Sequence, residues 1–118
     1  MQAKEIALEA AKAADDKKAF DIVILEVGAL SDSFDYFVIA SVNNDRQADA
    51  VTDEIENKLR EKLDVRPLAI EGRKVSKWEL IDFGSVMVHV FEPEARDYYR
   101  LESLWGDAPR LEFEAVAN

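Results

Sequence analysis

A chain of 118 residues, 48% of them hydrophobic, fits one packed domain and excludes global disorder. Its 25 acids against 15 bases leave a net charge of −10, which excludes a generic, charge-driven nucleic-acid binder and suits a basic protein partner. With no cysteine and one histidine, disulfides and thiolate chemistry are excluded and too few ligands remain for a structural zinc site. No apolar run approaches the roughly 20 residues of a membrane span. The N-terminus lacks the basic-then-apolar pattern of a signal peptide, so a cytoplasmic protein without membrane contact is expected.

Residues 2–15 read as a helix, because Ala3, Ile6, Ala7, Ala10 and Ala14 recur at helical spacing and alanine is the best helix former. Side chains this small predict close packing against a neighbour. After the polar break at residues 15–18, residues 20–27 (FDIVILEV) read as a β-branched strand, and residues 28–33 as a loop with turn chemistry. Residues 35–41 (DYFVIAS) read as a second strand, apolar enough to be buried on both faces. Asn43-Asn44-Asp45 is a helix N-cap signal. The helix it starts runs to about Leu63, with Ala48, Val51, Ile55, Leu59 and Leu63 on one face and a solvated, charged face opposite. Pro67 then leads into a strand at residues 68–71, and strand–helix–strand in this order predicts a parallel pair with a right-handed crossover.

Residues 72–77 (GRKVSK) form a basic loop, and residues 78–91 (WELIDFGSVMVHVF) read as a hairpin turning at Gly84-Ser85. Alternation along a strand sorts its side chains into two faces. Phe83, Ile81 and Glu79 fall opposite Val86, Val88 and Val90 on a core-like face. Asp82, Leu80 and Trp78 fall opposite Met87, His89 and Phe91 on a mixed face. That second face is either another core layer or a docking surface. Pro93 suits the first turn of a last helix over residues 93–105, with Tyr98, Leu101 and Trp105 on one side. Residues 109–118 form an acidic C-terminal tail, which frays or adds an edge strand.

Catalytic strings do not survive their context. Asp82-Phe83-Gly84 spells the kinase metal-binding tripeptide, but the other kinase motifs are missing. A mixed sheet with helices suggests the nucleotidyltransferase architecture. That activity needs Gly-Ser before a helix and two carboxylates one residue apart. Here Gly84-Ser85 precedes a strand, and Tyr99 stands where Asp97 would need its partner acid. There is no P-loop and no dinucleotide fingerprint. Asp82, Ser85 and His89 are strung along one hairpin with no oxyanion hole implied. The residue types on the mixed face, Trp with Met and apolar neighbours, instead match interface anchors.

Three strings in register then carry a resemblance over residues 3–108: DYFVIAS followed by Arg46-Gln47; Glu71-Gly72, Trp78, Asp82, Gly84 and VMVHVF; and Arg96, Tyr99, Leu101-Glu102 and Leu104-Trp105. Together they resemble the ribosomal silencing factor family, also called the Iojap or RsfS family. The resemblance implies a single-domain α/β fold, a mixed sheet of about five strands with helices packed on it, nucleotidyltransferase-like without the active site. It implies a non-enzymatic protein with no cofactor. Such a protein binds the large ribosomal subunit through the ribosomal protein numbered fourteen, blocks joining of the small subunit, lowers translation when nutrients are scarce, and is a homodimer when free. By position, Trp78 and Asp82 match the docking strand, and Glu71, Gly72 and His89 match motif positions beside it. Two departures stand out: Val42-Asn43-Asn44 where the family has a glycine, and Ser85 where it has an acid in the hairpin turn. Glu71, Gly72, Trp78, Leu80, Asp82, Met87 and His89 are thus the expected partner-binding residues, with no catalytic or metal residue, and the runner-up reading is a nucleotidyltransferase-like enzyme.

Overall fold

The alanine-rich segment forms helix α1 (Gln2–Asp16) in a computed structural model that describes residues 2–72 and 76–113. Ile6, Ala7, Ala10, Ala11, Ala13 and Ala14 are buried, and these short side chains let α1 press against both α2 (Asp45–Leu63) and the sheet. The expected cap starts α2. Asn44 Oδ1 accepts from the Gln47 amide at 2.8 Å, and Gln47 Oε1 accepts from the Asn43 amide at 2.7 Å, a reciprocal arrangement that satisfies amides at the helix entry. Gln47 Nε2 also donates to the Lys17 carbonyl at 3.2 Å, tying the start of α2 to the end of α1. Ala48, Val51, Ile55 and Leu59 face the core as the spacing predicts.

Among the described residues, six strands make one sheet: β1 (Phe20–Leu25), β2 (Tyr36–Ser41), β3 (Ala69–Gly72), β4 (Trp78–Asp82), β5 (Val86–Phe91) and β6 (Arg110–Leu111), in the order β3-β4-β5-β2-β1-β6. Strands β2 and β5 pair in parallel, and the other neighbouring pairs of these six are antiparallel. The parallel pairing predicted between β2 and β3 is corrected. The hairpin β4–β5 lies between them in the sheet, so β5 takes the place beside β2 and β3 pairs antiparallel with β4 at the edge. The hairpin register is as predicted, with Trp78, Glu79, Leu80, Ile81 and Asp82 opposite Phe91, Val90, His89, Val88 and Met87. Gly84 supplies the positive φ of 88° that a tight hairpin turn demands of its first central residue.

Each face of the sheet has its own apolar layer. Helices α1 and α2 cover Ile24, Val38, Ala40, Ile81, Val88 and Val90. On the other face, Leu25, Val27, Phe37, Ile39, Phe91, Ala95 and Ala108 form a smaller cluster, beneath α3 (Pro93–Tyr99) and α4 (Leu101–Leu104). The single helix predicted over residues 93–105 is therefore two. Arg100 adopts a left-handed backbone (φ 53°), which caps α3 and restarts the chain at a new angle. That break corrects the predicted apolar side. Tyr99, Leu101 and Trp105 pack on the cluster, whereas Tyr98 is 80% exposed. The start of the acidic tail adds an edge strand, one of the two outcomes expected for it: Ile24 and Leu25 pair with Leu111 and Arg110, and the Glu26 amide donates to the Pro109 carbonyl at 2.7 Å. Residues 73–75 of the basic loop and 114–118 of the tail lie outside the described residues. Among the described residues, no helix is long and apolar enough to cross a membrane.

Candidate docking site

Strand β4 is buried on alternate residues. Glu79 and Ile81 turn toward α2, where Glu79 Oε1 accepts from Thr52 Oγ1 at 2.8 Å. Trp78, Leu80 and Asp82 turn the other way and are half-buried. The Trp78 indole is held from several sides. It stacks on Phe91 (5.2 Å between centroids, 27°), meets Tyr99 at 4.4 Å, and its Nε1–H donates to His89 Nδ1 at 3.1 Å. A half-buried indole fixed this way has little side-chain entropy left to lose on binding.

His89 is 5% exposed, so it lies beneath the surface rather than on it. Burial pushes its pKa down to about 4, which leaves the ring neutral near pH 7. Because Nδ1 accepts from Trp78, the proton of the neutral ring is assigned to Nε2, which has no hydrogen-bond partner among the described residues. Phe37 packs edge-on against the imidazole at 4.7 Å. His89, one of the expected partner-binding residues, thus lies behind Trp78 and holds its indole through this bond. Phe91 is fully buried, and Met87 is half-buried against the same cluster.

On the edge strand, Glu71 pairs with Leu80 and Gly72 with Glu79, and both Glu71 and Gly72 are exposed. Gly72 has φ 96°, and a Cβ there would overlap the backbone carbonyl of Trp78. The glycine is required by the close approach of these two chains. Asp82 Oδ1 accepts from the Gly84 amide at 2.7 Å and steadies the turn. Glu71, Gly72, Ser76, Trp78 and Leu80 together line a shallow depression of about 210 Å³. The structure thus brings Glu71, Gly72, Trp78 and Leu80 together, puts Asp82 further along the same strand, and sets His89 and much of Met87 behind them.

A larger cleft of about 870 Å³, lined by Ser41, Arg96, Arg100, Glu102 and Arg110 among others, was not read from the sequence. Arg96 donates to Ser41 Oγ at 2.7 Å and to Glu102 Oε1 at 2.9 Å, and Arg110 lies 3.7 Å from the second oxygen of Glu102. This network pins the α3–α4 junction to β2. The Arg96–Glu102 pair was visible in the sequence only as two members of a motif, with no periodic signal linking them to Ser41. Among the described residues, no group of three acids or histidines could hold a metal ion.

A family model described as "Ribosomal silencing factor during starvation" matches residues 1–118. The chain is similar to "Ribosomal silencing factor RsfS" of Bacillus subtilis (strain 168), with 41% identity over 118 residues, 100% of this chain and 99% of the other. It is similar to "Mitochondrial assembly of ribosomal large subunit protein 1" of Mus musculus, with 35% identity over 92 residues, 75% of this chain and 40% of the other. A crystal structure of a Chromobacterium violaceum protein superimposes with a TM-score of 0.82 at 33% identity, covering 100% of this chain and 95% of that one.

Proposed function

The chain belongs to the ribosomal silencing factor family, and from that premise we propose that it represses translation without catalysis, by binding the large ribosomal subunit at the surface where the small subunit docks. The partner is the basic ribosomal protein numbered fourteen, and the occupied surface keeps the subunits apart when nutrients are scarce. When free, the protein pairs with a second copy in the cytoplasm. One observation carries the docking face: a rigidly held, half-buried Trp78 beside Leu80, with the carboxylates of Glu71 and Asp82 on the same side of β3 and β4. The mouse relative named for the ribosomal large subunit supports the choice of subunit.

An anchored aromatic of this kind is worth ~2 kcal/mol or more on truncation, which is more than tenfold in affinity. The acids suit Lys or Arg of a basic partner and raise the rate of encounter. Nothing in the site favours a nucleotidyltransferase, since Asp97 has Tyr99 where the second metal-binding acid is needed. The test is subunit joining in a purified system. Added protein is expected to lower the fraction of joined ribosomes in proportion to its occupancy of large subunits, and to migrate with the large-subunit peak. Unchanged joining at saturating protein rejects steric exclusion.

A further inference from the structure

Four aromatic rings run in unbroken contact from the core to solvent. Phe91 is fully buried, and Trp78 stacks on it at 5.2 Å. Tyr99 meets Trp78 at 4.4 Å, and Tyr98 meets Tyr99 edge-on at 5.1 Å and 87°. Tyr98 ends the series 80% exposed. Its direction is fixed by the fold: Tyr99 must pack inward on the second cluster, and the left-handed turn at Arg100 ends α3 there, leaving Tyr98 on the outer side. The exposed residues of α3 are Pro93, Glu94, Asp97 and Tyr98, so the helix presents one ring among acids. Of the nearby bases, Arg96 is engaged with Glu102 and Ser41, and Lys77 with Asp45 and Glu92, while Arg100, which caps the helix, is exposed.

We infer that the docking surface continues from β4 across Tyr99 onto α3, and that Tyr98 is a second anchor for the same basic protein partner. The inference rests on the reading of the Trp78 face given above. A tyrosine braced on one edge by another ring offers large contact area with only two side-chain torsions to fix. Its ring face can also take a Lys or Arg side chain of the partner, with Glu94 and Asp97 adding charge complementarity. A second copy of this chain fits less well, since it also carries a net charge of −10 and would set acid against acid.

The test compares Tyr98→Ala, Tyr98→Phe and Trp78→Ala for co-sedimentation with purified large subunits, alongside melting temperatures. Tyr98→Ala is expected to weaken binding about tenfold, with Tyr98→Phe close to wild type and both as stable as wild type. Wild-type affinity for Tyr98→Ala with weakened Trp78→Ala overturns the extension and leaves the Trp78 face standing. Wild-type affinity for both overturns both. If Tyr98→Ala also lowers the melting temperature, a photo-crosslinking phenylalanine analogue at position 98 decides. Capture of a basic large-subunit protein supports the extension, and capture of only a second copy, or of nothing, overturns it.

Discussion

At the residue scale, the bond from Trp78 Nε1 to His89 Nδ1 joins a half-buried indole to a buried base. Burial lowers the His89 pKa from the ordinary 6.5 to about 4. The unfolded chain takes up this proton first as pH falls, so the stabilisation is complete above about pH 6.5 and drains away toward pH 4. The full effect is about 3 kcal/mol. His89→Phe is expected to flatten that part of the acid limb in urea unfolding. The wild type and the variant losing stability in parallel from neutral to mildly acid buffer would contradict the assignment. Gly72 makes a second residue-scale case. A methyl group there meets the Trp78 carbonyl in a backbone conformation that L residues avoid, so Gly72→Ala is expected to cost about 2 kcal/mol in chemical unfolding. A fully stable Gly72→Ala would make the glycine a contact residue rather than a packing requirement.

At the element scale, the α3–α4 unit depends on one ion-pair network. Arg96 reaches Ser41 on β2 and Glu102 on α4, and its side chain is 12% exposed. Arg96→Ala leaves the partly solvated Glu102 with only the exposed Arg110 at 3.7 Å, so the expected loss is about 2 kcal/mol, below that of a fully buried pair. A thermal midpoint unchanged from wild type would show that helix packing alone holds the unit. The same scale explains what the sequence made legible. The faces of β4 and β5 follow from a period of two that survives any shift of an even-length turn, and the α2 face follows from its helical spacing. The place of β3 was not legible, because strand order depends on which pairing wins, and the β4–β5 hairpin claims the position beside β2. Arg100 was not legible as a break, since arginine carries no left-handed preference, and with it went the outward direction of Tyr98. Strand β6 carries no signal of its own in the sequence, because two residues are too few to show a period.

For the whole molecule, the two sides of the sheet are unequal. Two long helices close one face, while short α3 and α4 close the other and leave Trp78, Leu80 and Asp82 half-buried near the β3 edge. A chain of net charge −10 with an aromatic anchor at that point is suited to a basic protein surface. The site was legible as a face and a set of residue types. The depth of each residue was not, because His89 is covered by Phe37 from β2 and Phe91 by Tyr99 from α3, both outside the hairpin. The most direct measurement is the affinity of folded Trp78→Ala/Asp82→Lys for purified large ribosomal subunits by co-sedimentation. The account predicts a loss of at least about tenfold with the circular dichroism spectrum of the wild type, and wild-type affinity in that folded double variant would contradict it.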